Sequence, residues 1–226
     1  MPATKTPHAP AISVATKQLH ALLAQKEFDP FDAVFLAEFR YLLDASADPN
    51  IPDVHGTTTM GRLLVFSAGE QVPEQALEIA AAKGGVVNST LVSELIIFDQ
   101  VDRALWALSK VPHPDPSLLQ DAVLWSTRLL DMLPALLAAG IPINTQDDSG
   151  CAILHLLNNR RGPVLLEVVE YCLDHGADPT LENNIGITPL EGATPEMRGI
   201  LEAALAARAL TSQAPPVHAP IARRTL

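Results

Sequence analysis

The sequence predicts an all-α fold of about five to six stacked helix–loop–helix units, and three observations carry that prediction. The first is a helix stop, a loop and a helix start packed into residues 174–193. Gly176 follows the apolar run Val168–Leu173 and suits the left-handed residue that ends a helix. Ala177-Asp178-Pro179 resists helix, because the residue before proline is pushed out of the α region, and Thr188-Pro189 opens a new helix. The second is recurrence. Ala47-Asp48-Pro49-Asn50 and Gly140-Ile141-Pro142-Ile143-Asn144 repeat the element, and Gly84-Gly85-Val86-Val87-Asn88 repeats it weakly. With Asn50, Asn88, Asn144 and Thr180 equivalent, the steps are 38, 56 and 36 residues. The long step holds a further turn at Pro112–Pro116 and equals about two short units, so the pattern is that of a stacked array. The third is composition: 48% hydrophobic but only 4% aromatic, with Leu and Ala dominant, which favours close-packed helices over a β-sandwich.

In order along the chain, apolar periodicity predicts a helix near Ser13–Gln25 with Val14, Leu19, Leu22 and Leu23 on one side. A second starts at Asp29-Pro30 or Asp32 and reaches Ala45, with Phe31, Val34, Phe35, Phe39, Leu42 and Leu43 inward. Thr57 or Thr58 caps a third through Leu63, Leu64 and Phe66, and Pro73 opens its partner to Ala82. Asn88 or Ser89 caps a helix with Leu91, Leu95, Ile96 and Phe98 inward, and Asp99 starts the next. Helices over 117–125 and 129–139 follow; interior proline is unfavourable, so a start at Asp131 would place Pro134 in a first turn. Residues 151–158 and 164–175 form another pair, 189–193 a short helix, and Thr194-Pro195-Glu196 opens the last, running through Leu210 as a polar-faced terminal cap. Residues 1–13 and 211–226 are expected to be disordered flanks of one elongated repeat domain over 14–210.

These junctions resemble the ankyrin repeat family, whose period is about 33 residues with a Thr-Pro-Leu-His-x-Ala signature. The last junction reads Thr188-Pro189-Leu190-Glu191-Gly192-Ala193, with Glu where the family has His; the one before keeps Leu154-His155; Thr58-Thr59-Met60-Gly61 keeps little. The resemblance is strong over 130–205, weaker over 30–90, and rests on helix spacing between 90 and 130. It implies that His155 ties neighbouring repeats together by hydrogen bonding. It also implies that the loop fingers and the first helix of each pair grip partner proteins. The Ala- and Pro-rich composition and short irregular units read as bacterial.

No Walker glycine loop, Gly-x-Ser-x-Gly, His-Glu-x-x-His or Cys-x-x-Cys occurs, so neither catalysis nor a cofactor is predicted. His113 with Asp115 supplies two metal ligands where zinc needs three or four, so no metal is predicted. No apolar run is long enough for a transmembrane helix, residues 1–10 do not form a secretory signal, and two cysteines make no disulfide framework. Buried thiols in a cytoplasmic monomer are expected. The net charge of −11 disfavours nucleic acid, whose binding relies on Lys and Arg, and favours a basic protein.

The loop tips are the candidate partner-binding site: Asp53 and His55 in one, Gln146, Asp147, Asp148 and Ser149 in another, Glu182, Asn183 and Asn184 in a third. Equivalent positions in a stack align along one edge, giving a row of acidic and amide groups. The expected function is protein binding, as an immunity or antitoxin protein or as an effector or scaffold. An enzyme site within 90–130 is the alternative.

Overall fold

In a computed structural model, residues 12–25, 29–65, 72–162 and 165–212 are described. Of the residues expected to be disordered, 1–13 and 211–226, only 12–13 and 211–212 are described, and 211–212 instead extend the last helix; the others, and the inward placement of Phe66, lie outside the described residues. Eleven helices and no strand occur among those described: α1 Val14–Leu23, α2 Ala33–Asp44, α3 Thr59–Val65, α4 Glu74–Ala82, α5 Ser89–Ile97, α6 Val101–Leu108, α7 Leu118–Trp125, α8 Leu129–Ala138, α9 Ile153–Leu157, α10 Leu165–Asp174 and α11 Pro195–Ser212.

Two compact units divide the chain, one through Ile141 and one from Pro142. In the first, α1 packs on α3, α3 on α5 and α5 on α7, forming one layer. A second layer covers it: α2 packs on α1 and α4, α4 on α3, α6 on α5 and α8, and α8 on α7. Phe39, Met60, Leu63, Leu77, Leu95 and Leu133 are fully buried between the layers. In the second unit, α10 packs on both α9 and α11, around Leu154, Leu157, Val169, Cys172, Met197 and Leu201.

Local chemistry starts and stops these helices. Ser13, Asp32 and Asn88 each accept the amide three residues on, at 3.0, 2.8 and 3.0 Å. Five helices end in one left-handed residue, after which an amide bonds the carbonyl five residues back. Glycine fills that position at 84, 140 and 176, whereas Ser46 and Asp99 adopt it at φ 66° and 54°. Asp99 was expected to start a helix. It instead ends α5, and α6 begins at Val101.

Other expectations are corrected. Val14, Phe31, Val34 and Phe98 lie at helix ends or on outer faces and are exposed. The helix holding Pro134 begins at Leu129 rather than Asp131, so the proline is interior; its ring is exposed, and what is lost is one backbone donor. Residues 189–193 form a turn and no helix.

Candidate functional site

The loops at 53–57, 147–151 and 183–187 share one construction. In each, the first residue's amide donates to the carbonyl four residues on, at 2.9, 3.0 and 3.0 Å, closing a tight finger. The first residue's side-chain Oδ1 then accepts the amides two and four residues ahead: His55 and Thr57 on Asp53, Ser149 and Cys151 on Asp147, Ile185 and Ile187 on Asn183. Short Asx side chains do this well because they reach their own downstream backbone. A glycine at φ +75 to +80° completes each turn, at 56, 150 and 186.

This construction sorts the nine predicted site residues. Asp53, Asp147 and Asn183 are half-buried at the base of each finger and build it. Burial works against the Asp53 charge, but the Thr57 amide, the Arg62 guanidinium and the His55 amide outweigh it and hold the carboxyl below its usual range. Gln146 Nε2 donates to the carbonyls of Gly150 and Glu182, at 2.6 and 2.9 Å. Asn184 Nδ2 donates to the Asp148 carbonyl at 2.9 Å, and its amide to the Ser149 carbonyl at 3.0 Å. Gln146 and Asn184 therefore lace the two fingers of the second unit together. His55, Asp148, Ser149 and Glu182 are exposed.

Two apolar residues escaped the sequence reading. Val54 is 94% exposed and Ile185 is 81% exposed, each between the Asx residue and the glycine of its finger. The available signal was an aliphatic side chain at a tip where polar residues are the rule.

The repeats are joined by groups that the sequence singled out only in part. His155 Nδ1 accepts the Ala152 amide at 3.1 Å, and its Nε2 bonds the Ile187 carbonyl at 3.0 Å. Glu191, in the equivalent place of the next junction, accepts the Thr188 amide at 2.8 Å while Thr188 Oγ1 accepts the Glu191 amide at 3.3 Å, a reciprocal pair that closes the turn there. Asn144 accepts the Asp178 amide at 2.8 Å and donates to the Gly176 carbonyl at 3.0 Å. Asn50 makes the same clasp on Val86 and Gly84, at 2.9 and 2.7 Å. Asn88, taken as equivalent to both, caps α5 instead.

This helical architecture matches solved structures. The ankyrin repeat domain of Bcl-3, described as a unique member of the IkappaB protein family, aligns at 24% identity and a TM-score of 0.60, over 75% of this chain and 78% of that one. EF0377, an ankyrin repeat protein, aligns at 17% identity and a TM-score of 0.63, over 84% and 97%. The chain has the ankyrin-repeat fold. No protein-family model and no curated protein matches the sequence.

Asp115 accepts the Ser117 amide at 2.9 Å, a bond that holds its carboxyl below the usual range, and His113 is exposed. No group of three or more His, Cys, Asp or Glu that could hold a metal occurs among the described residues. None of the described helices is long and apolar enough to cross a membrane.

Proposed function

We propose that this protein is an ankyrin-type interaction module that binds a basic protein partner through its finger tips, as a cytoplasmic monomer. The observation that carries the reading is the exposed aliphatic residue on each of two braced fingers, Ile185 beside Asn184 and Val54 beside His55. An apolar side chain held in water on a rigid turn is pre-organised for contact, and ordering it on binding costs little. The outward carboxylates of Asp148 and Glu182 give the tips their sign, and the chain's charge of −11 extends it. Complementary charge steers association and selects against acidic or nucleic-acid partners. An immunity or antitoxin-like role, blocking a basic toxin or enzyme, fits these features; an effector or scaffold role would use the same tips.

The test starts from the partner recovered from native lysate. Asp148→Asn with Glu182→Gln should slow association about 10-fold at low salt, with a smaller effect at high salt. Ile185→Ser should speed dissociation, and Val54→Ser should do the same if that tip is also engaged. Fold stability should change by less than about 0.5 kcal/mol, because these side chains are exposed. Unchanged rates in all three variants would remove the tips from the interface.

A further inference from the structure

The outer layer of the first unit holds a groove that neither the fingers nor the inner helices line. It lies between α2 and α4 and has a volume of about 500 Å³. Small-molecule clefts run from about 300 to 1,000 Å³, so a metabolite fits in it. Its two walls are in register. Lys83, just past the end of α4, bonds Asp44, the last residue of α2, at 2.6 Å. One helical turn earlier on each wall stand Arg40 and Ile79, with Glu78 beside Ile79 and Gln75 a further turn down. Ile79 is buried and, with Ala82, makes the apolar part of the lining.

Two of the groove's charges are unspent. Lys83 and Asp44 neutralise each other at one end. Arg40, Glu78 and Gln75 make no hydrogen bond or ion pair among the described residues. The next outer pair is built differently: Arg128 bonds both Asp102 and Asp131, which ties α6 to α8. Between α2 and α4, a cation and an anion instead share one groove and do not meet.

That pattern selects the ligand. A simple anion on Arg40 would lie beside Glu78 and Asp44, and a simple cation on Glu78 would lie beside Arg40 and Lys83, where like charges repel. A molecule carrying both charges a few bonds apart satisfies both walls. We infer that the α2–α4 groove binds a small zwitterion of the free α-amino-acid kind. Its carboxylate meets the Arg40 guanidinium, whose parallel N–H groups suit two oxygens. Its ammonium meets Glu78, with the Gln75 side-chain oxygen as a second acceptor three residues away on the same helix face. Its aliphatic side chain lies on Ile79 and Ala82. The site uses no finger residue and does not depend on the interaction reading.

The experiment titrates L-leucine into the full chain and follows Ile79 and Ala82 by two-dimensional NMR. Their signals should shift saturably as leucine is raised to about 10 mM, a range that reads dissociation constants near 1 mM. Two analogues divide the zwitterion: 4-methylpentanoate lacks the ammonium and leucinamide lacks the carboxylate. Each should bind at least about 10-fold more weakly than leucine, as should leucine itself to Arg40→Gln and to Glu78→Gln, since each change removes one charge-assisted contact. Both substituted residues are exposed, so the urea midpoint should stay put. Asp148→Asn with Glu182→Gln should leave leucine binding unchanged, which separates this groove from the fingers. Three outcomes would overturn the inference: no saturable shift, binding of 4-methylpentanoate as tight as that of leucine, or full affinity in either single variant.

Discussion

Replacing Gly150 with alanine tests the lacing of the two fingers in the second unit. Gly150 sits at φ +75°, where an alanine costs about 1–2 kcal/mol. A Cβ there would also stand 2.6 Å from the Asn184 backbone nitrogen, and backbone cannot rotate away as a side-chain end can. The neighbouring finger must move, and two bonds depend on its position: Asn184 amide to Ser149 carbonyl, and Asn184 Nδ2 to Asp148 carbonyl. Each contributes about 0.5–1.5 kcal/mol, so the total loss is about 2–5 kcal/mol. Gly186→Ala is the matched control. Its φ is also +75°, but nothing lies within 4 Å of its added Cβ, so it should lose only the conformational part, about 1–2 kcal/mol. Urea unfolding followed by circular dichroism at unchanged slope gives both values. Equal losses, within about 0.5 kcal/mol, would refute the claim that these fingers support one another.

Leu154→Ala, at a fully buried position, should cost about 2–5 kcal/mol, and Leu173→Ala, half-buried, clearly less in the same unfolding assay. His155→Ala orphans the Ala152 amide and should cost about 1–3 kcal/mol; denaturation of the variant checks it. The carboxyls of Asp53 and Asp178 are held below their usual value, so the folded state binds fewer protons than the unfolded one near pH 4. Their stabilisation is present in full above about pH 4 and is lost as pH falls through the lowered values; Asp53→Asn should flatten part of that acid limb in a pH series of urea midpoints. Burial pushes the Cys172 thiol up to about 12, so at pH 8 a thiol reagent should label only Cys151 in the native chain and both cysteines once unfolded.

The ends of the helices were legible because their chemistry is local. Gly84, Gly140 and Gly176 announced left-handed caps, and Asn88 a helix start, through interactions spanning at most five residues. Ser46 and Asp99 hide the same cap behind residues with no glycine signal, which is why Asp99 read as a beginning. Phe98 and Trp125, both exposed, show a different limit. Apolar periodicity says that a helix has an oily stripe, but it does not say whether a neighbour covers the end of that stripe. At the candidate site, loop polarity pointed to residues that lie in the three fingers. It could not separate Asp147, spent on its own turn, from Asp148 beside it, because the difference lies in where one carbonyl and two amides point.

The asparagine clasps have a consequence for how such a chain can change over time. Asn144 and Asn50 reach the adjacent helix end through main-chain atoms only: a carbonyl and an amide that almost any residue would offer. The clasp thus reads a shape rather than a spelling. A neighbouring repeat could be rewritten, duplicated or exchanged and still be gripped, provided that its helix ended in the same left-handed turn. Such coupling leaves the outward face of each repeat free to diversify, while the seam requires little beyond one asparagine on one side and one correctly folded helix end on the other.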